Sequence, residues 1–460
     1  MTMISNSSAA QVVSRRPHAG PRGHWLWGCM RQLQRDPLSL YTRANREFGH
    51  YVRIRAFPGI YVYLLTHPEA VEYVLQKHHK NYRKPDFFNK TVGLLTGNGI
   101  LTSEGDFWLR QRRLMQPAFH RQHLAKLVPL IIAAAESFVR QQQAAEAGKP
   151  IDILAHMMKL GLRIAGTTLF STDITGEADD IGRAYRTGFA YVSHRMNSPP
   201  LIPTWLPTPR NLAFARAKKL LDRVVLDLIA ARRTATVPKD DLLSLLLAAQ
   251  DSETGAGMTN EQLKVEALTL LTAGHETVGA ALSWTWYLLG QHSKVQEDLY
   301  DEVYGRLEGR SPTLEDLGDL PLVRAVFEES MRLYPPAWGQ PREALTDNEI
   351  NGFFIPAKGT VTVNQWVTHR HPDFWDEPET FKPERFLPGH PQRHKFAYFP
   401  FGGGPRLCIG NAFAMLEGLL VLATIIQKFR FELVAGHPVL PDPTFTLRPK
   451  YGVKVRLSPR

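Results

Sequence analysis

The sequence predicts a mainly α-helical chain with a smaller β portion. Apolar residues recur at helical spacing almost throughout residues 104–335, whereas strand-like runs are confined to residues 51–65 and to the stretch after 341. No internal repeat or low-complexity linker divides the chain, so residues 21–460 are read as one unit. Residues 1–20 lack periodicity and are expected to form a mobile tail.

Each element has a local cause. Asp36-Pro37 supplies a capping side chain and a first-turn proline, and Gly49 ends the helix that they open. Residues 51–55 and 60–65 are rich in β-branched and aromatic side chains and flank Pro58-Gly59, which predicts a hairpin. The long helical stretch is interrupted by the proline-rich run Ser198-Pro199-Pro200-Leu201-Ile202-Pro203. Strand character returns at residues 359–363 among many prolines, and an apolar helix over 412–426 follows Cys408.

With 43% hydrophobic and 22% charged residues in 460, the composition is that of a folded, enzyme-sized protein and excludes wholesale disorder or a collagen-like array. The two cysteines, Cys29 and Cys408, lie far apart without metal-finger spacing, so neither a disulfide scaffold nor a structural zinc site is expected. That pattern suits a reducing cytoplasm. The longest apolar runs, 127–135 and 419–426, reach only half of the roughly 18 residues that a membrane crossing needs, and the start lacks the apolar stretch of a signal peptide. A cytoplasmic monomer with no transmembrane span is expected. The net charge of +11 is scattered rather than gathered into a docking element, which favours an acidic protein partner over nucleic acid.

The chemistry concentrates at Phe401-Gly402-Gly403-Gly404-Pro405-Arg406-Leu407-Cys408-Ile409-Gly410. A cysteine at the end of a glycine-rich loop, just before a helix, meets the positive end of a helix dipole, which favours the thiolate and makes a strong metal ligand. Glycines let backbone approach a flat bulky group, and Arg406 can pair with a carboxylate of such a group. Taken alone, the same cysteine also suits an inert small hydrophobe. The fixed positions Phe-x-x-Gly-x-Arg-x-Cys-x-Gly are all met, and here the sequence resembles the cytochrome P-450 family.

A second motif lies within a helix opened by the capping box Thr259-Asn260-Glu261-Gln262 and extending to about Leu289, roughly 45 Å long. At its middle stand Ala273-Gly274-His275-Glu276-Thr277. A glycine there costs about 1 kcal/mol relative to alanine, so it marks either close approach of another group or room for one. On its own, the pentapeptide also suits a packing notch with a threonine bonded back to a carbonyl. His275 has no second ligand nearby and is read as a polar helix residue.

Charged pairs complete the pattern. Glu329 and Arg332 stand at i and i+3 before Tyr334-Pro335-Pro336, and Arg385 follows in Pro383-Glu384-Arg385-Phe386. Trp108 and Arg112 are one turn apart; Arg342 precedes the returning strands; Lys84 and its neighbour Arg83 are further basic candidates.

The resemblance, which spans residues 21 to about 456, implies a helix-rich triangular prism binding haem b (iron protoporphyrin IX) with Cys408 as the axial thiolate. It implies that Phe401, Gly402 and Gly410 shape the thiolate loop, that Ala273 and Gly274 border the haem, and that Arg406, Trp108, Arg112, Arg342 and more weakly Lys84 reach its propionates. Thr277 is implied to hydrogen-bond dioxygen and Glu276 to pass protons through water. Glu329, Arg332 and Arg385 are implied to form a buried structural network whose loss prevents haem incorporation. The implied reaction inserts one oxygen atom from dioxygen into a small apolar substrate, a fatty acid, terpenoid or carotenoid, with electrons from an external ferredoxin or flavodoxin plus reductase. Leu101, Phe88, Ala273 and Thr277 are the candidate substrate contacts, within variable segments that also hold Phe87, Leu94, Leu95, Met196, Leu201 and Ile202. Two rival readings stay open: a peroxide-using or hydroperoxide-rearranging haem-thiolate enzyme, and a non-catalytic haem-binding or gas-sensing protein.

Overall fold

The computed structural model describes residues 19–146, 148–172, 178–197, 202–234 and 241–460. Ser198 to Leu201 of the proline-rich run, and the tail up to residue 18, lie outside the described residues. Ala19, in the segment expected to be mobile, accepts a backbone hydrogen bond from Arg53 at 2.9 Å.

Helices dominate, and the predicted boundaries have the predicted chemistry. Helix Pro37–Phe48 is capped by Asp36, whose side chain accepts from Ser39 N at 3.1 Å, and ends at Gly49 with φ of 83°. Helix Asn260–Gln291 crosses the molecule and carries the full capping box, Gln262 N to Thr259 Oγ1 at 3.2 Å and Thr259 N to Gln262 Oε1 at 2.9 Å. The apolar helix after the cysteine loop spans Asn411–Ile426. Buried side chains of these two helices join those of Arg121–Gln143, Ile153–Phe170 and Pro321–Leu333 in one large core.

Helix Arg121–Gln143 adds a feature that consecutive apolar runs do not register. By length and composition it is apolar enough to cross a membrane, although no uninterrupted apolar run reveals it. Its apolar face is spent inside the protein: Leu124, Leu127, Val128, Ile131, Ala134, Ala135, Phe138 and Val139 are all buried in that core.

The hairpin Tyr51–Phe57 with Ile60–Leu65 forms as predicted, and its second strand pairs in parallel with Thr360–Val363. Gln340–Ala344 and Tyr82–Arg83 extend the same sheet. Phe429–Leu433, Lys454–Pro459 and Ile151–Asp152 make a smaller sheet, and Pro441–Pro443 with Leu447–Pro449 a short hairpin. The hairpin matters because it reaches the long helix.

Two glycines let the central helices touch. A Cβ on Gly161 would stand 2.8 Å from the carbonyl oxygen of His275, and one on Gly279 would stand 3.0 Å from Met158 Sδ. Gly305, on helix Ser293–Leu307, has open space where its Cβ would be. Gly161→Ala is therefore expected to destabilise by about 1–3 kcal/mol through overpacking. Gly305→Ala is expected to stabilise by up to about 1 kcal/mol through helix propensity. Denaturant midpoints check both; shifts of the same sign would contradict this account of the helix contact.

Candidate active site

The cysteine loop is shaped from both sides. Cys408 N donates to Phe401 O at 3.0 Å and Gly402 N to Phe399 O at 2.9 Å. Gly404 has φ of 64°, and a Cβ there would lie 1.9 Å from the carbonyl oxygen of Leu75, in the π-helical turn Tyr73–Lys77. No other residue fits that contact. Gly410 is different: its Cβ would meet only Phe119, at 3.8 Å.

Cys408 is surrounded by protein yet keeps exposed surface, whereas Cys29 is closed off. It therefore lines an internal cleft. Burial pushes the Cys408 thiol up, outweighing the Gly410 N–H and the Arg112 charge, which both favour the anion. The helix terminus acts in the expected direction, through the Gly410 N–H, but is smaller than the effect of burial. A metal cation bonded to the sulfur supplies what the loop lacks, since coordination deprotonates a thiol outright.

Four cations gather beside this cleft. Arg112 Nη1 donates to Leu407 O at 2.8 Å, and burial lowers its pKa. Arg406 stacks over the Trp108 ring at 3.6 Å, donates to Ser103 O at 3.1 Å and bonds the Glu104 carboxylate. Arg342 is pushed down to about 10 by burial and by Arg406, while its Nη1 donates to Pro341 O at 2.8 Å. Lys84 is pushed down to about 7, chiefly by burial, with Arg406 and Arg342 adding to it; its Nζ donates to Leu101 O at 2.7 Å. Glu104 is the shared counter-charge of Lys84, Arg342 and Arg406. One carboxylate facing several buried cations suits a dianionic group such as the haem propionates. Arg83 is engaged elsewhere, 2.7 Å from Glu343, so Lys84 is the member of the basic pair that belongs here. Trp108 serves Arg406 as a stacking face.

On the long helix, Ala273 is exposed and Gly274 and Thr277 are half-buried, although most of their neighbours are buried. Ala273 and Thr277 are one turn apart on the same face, so that face borders an internal space. Gly274 is no packing notch, because its Cβ would meet only Ala165, at 3.9 Å. Thr277 Oγ1 does bond back, donating to Ala273 O at 2.7 Å, and its lone pairs stay available.

Glu276 turns toward the C-terminal hairpin. It accepts from Thr446 Oγ1 at 2.9 Å and lies 3.8 Å from Arg448 Nη1, while its Oε2 is buried without a protein partner. Burial pushes its carboxyl up to about 7, against Arg448 and Thr446, which lower it. His275 lies 4.8 Å from the Tyr185 ring and bonds Leu271 O, and burial lowers its pKa to about 4. It is a satisfied core histidine.

The buried charge network is present. Arg332 meets Glu329 through Nε at 2.7 Å and Nη2 at 2.8 Å, and Arg385 Nε lies 3.4 Å from Glu329. Lys382 N adds a bond to Glu329 at 2.9 Å, and Arg332 Nη1 donates to the carbonyls of His369 and Pro378 at 2.8 and 2.7 Å.

Of the apolar candidates, Phe88, Leu101 and Met196 join Leu270, Ile409 and Phe445 at the edge of one core cluster. Leu94 faces another groove, with Thr204 and Phe214; Leu95 is buried, Phe87 and Ile202 are exposed, and Leu201 lies outside the described residues. Sequence reading missed Glu104, although it stands four residues before Trp108, a spacing that placed it on the same helical side. Nothing local pointed to Thr446 or Arg448, 170 or more residues from their partner.

Comparison with known proteins agrees with this geometry. A family profile described as Cytochrome P450 matches residues 18–456. Cyclooctatin synthase of Streptomyces melanosporofaciens is 34% identical, with 96% of this chain and 96% of the relative covered. Pentalenene oxygenase of Streptomyces avermitilis is 31% identical, with 98% of each covered. Among solved structures, retinoic acid bound cyanobacterial CYP120A1 matches with a TM-score of 0.85 at 28% identity, over 96% of this chain and 99% of that one.

The elevated Glu276 carboxyl has a measurable sign. Its ordinary value is 4.5 and its folded value about 7, so the folded state holds a proton that the unfolded chain releases between them. The stability from this group is present at low pH and lost as pH rises through that window. Melting temperatures taken across it are expected to fall more steeply for the wild type than for Glu276→Gln; equal slopes would contradict the assignment.

Proposed function

Because the chain belongs to the cytochrome P450 family of haem-thiolate monooxygenases, we propose that it oxidises an apolar terpenoid or carotenoid with electrons from a separate ferredoxin or flavodoxin and its reductase. The relatives matched along nearly their whole length carry the substrate class, since their names include a terpene oxygenase and a protein bound to retinoic acid. The edge formed by Phe88, Leu101, Leu270, Ile409 and Phe445 gives such a ligand an apolar surface. Residues 21–460 are read as one haem domain in the cytoplasm, and the net charge of +11 suits an acidic electron carrier.

Haem would be held by the Cys408 sulfur and would supply the oxidising chemistry, with the thiolate as its electron-rich ligand. The residues around it bind, orient and move protons. Arg112, Arg342, Arg406 and Lys84 would neutralise the cofactor's carboxylates, with Arg406 stacked on Trp108. Ala273 and Gly274 leave room for dioxygen and substrate beside the helix. Thr277 offers a hydroxyl to dioxygen by turning away from Ala273 O. Glu276, poised near neutrality, holds a proton on a carboxyl whose Oε2 is free to pass it on through water. The balance is substrate, dioxygen, an electron pair and a pair of protons giving hydroxylated product and water. Glu329, Arg332 and Arg385 stay outside that chemistry and hold the loop in shape.

The test is a panel of terpenoids, carotenoids and fatty acids read by ligand-induced shifts of the haem spectrum, then by product mass with a surrogate carrier and reductase. A terpenoid or carotenoid is expected to shift the spectrum and gain one oxygen atom. Products from fatty acids alone, or turnover with peroxide but not with dioxygen and reductase, would overturn the proposal.

A further inference from the structure

Away from the cleft, three metal-ligating side chains from distant parts of the chain meet near the protein surface. His50 follows Gly49 at the end of helix Pro37–Phe48, and His371 and Asp373 lie just past the short helix Gln365–Thr368. His50 Nε2 stands 3.1 Å from Asp373 Oδ2, and His371 Nδ1 stands 3.7 Å from the same oxygen. One donor atom from each of the three lies within 4.8 Å of the others, and the two imidazole rings are 4.3 Å apart. No step of the oxygenase reaction uses them.

Both nitrogens of His50 have a partner, and the outer one faces Asp373. His50 Nδ1 is 3.0 Å from Thr66 Oγ1, which also accepts from Asn45 Nδ2 at 2.8 Å. Without an ion, Nε2–H donates to the Asp373 carboxylate, which can only accept, and the Thr66 hydroxyl can donate to Nδ1; an ion takes the place of the Nε2 proton, and Nδ1–H can then donate to Thr66 Oγ1. Fixing a ligand's far nitrogen in this way is the usual outer arrangement of a metal-bound histidine. Asp373 has a 60% exposed side chain and can move toward the rings. A tetrahedral ion with ligand bonds of about 2.0–2.1 Å holds its donors about 3.3 Å apart, close to the spacing already present between His50 and Asp373. At His371, coordination through Nδ1 replaces the bond from Asp373 N at 3.2 Å.

We propose that His50, His371 and Asp373 bind a zinc(II) ion that ties the turn after the first long helix to the segment following Gln365–Thr368. Imidazole and carboxylate together suit zinc, and water completes the coordination. The bound ion links positions more than 300 residues apart and stabilises the folded state by mass action.

Untagged, haem-loaded protein, stripped with EDTA, is titrated with zinc chloride by calorimetry and by thermal melting. Binding at a single site and a zinc-dependent rise in melting temperature, reversed by EDTA, are expected. The double variant His50→Ala/His371→Ala should lose both. Asp373→Asn alters only an exposed group, so the fold survives, and it should weaken zinc by at least the roughly tenfold that loss of an outer partner costs. Absence of zinc uptake by the wild type, or unchanged affinity in both variants, would overturn the site. The haem spectrum, recorded alongside, reports separately on the cysteine loop.

Discussion

A paired charge with no access to water sets the shape of the cysteine loop. Glu329 and Arg332 are both fully buried, and each is expensive to desolvate alone. Arg332 answers that cost with Glu329 on one side and backbone carbonyls on the other, one of them from His369. His369 in turn accepts from Phe399 N at 2.9 Å through Nε2, and burial together with Arg332 and Arg370 keeps that ring neutral. Phe399 O then receives Gly402 N, which turns the chain toward Phe401 and Cys408. The sulfur's position thus descends through a chain of hydrogen bonds from one ion pair.

Around the sulfur, burial works in two directions. It raises the Cys408 thiol and lowers the pKa of Arg342 and Lys84, so burial disfavours the charged form of each. In the proposed function, iron at the sulfur and cofactor carboxylates at Arg112, Arg342, Arg406 and Lys84 would offset both. The protein invests stability in a site completed by its cofactor, as functional sites commonly do.

What the sequence revealed was local. The cysteine loop, the capping box at Thr259, the hairpin at Pro58-Gly59 and the Glu329–Arg332 pair each depend on residues a few positions apart, and each is found where the pattern placed it. What stayed hidden was long-range. Thr446 and Arg448 reach Glu276 because a C-terminal hairpin folds back on the long helix, and His369 joins Arg332 to the loop across 37 positions. Nothing in the sequence around Gly161 marks its contact with the carbonyl of His275, whereas Gly274, within the singled-out pentapeptide, has only Ala165 at 3.9 Å from where its Cβ would be. Helix Arg121–Gln143 hid its apolar face among polar residues because a buried stripe needs only periodic positions.

The proposed chemistry requires a sulfur–iron bond at position 408. The most direct measurement is the absorption spectrum of the reduced, haem-loaded protein under carbon monoxide. The wild type is expected to show the red-displaced Soret band of thiolate ligation, and Cys408→Ala to lack it. A wild type without that band, or a variant that retains it, would contradict the account.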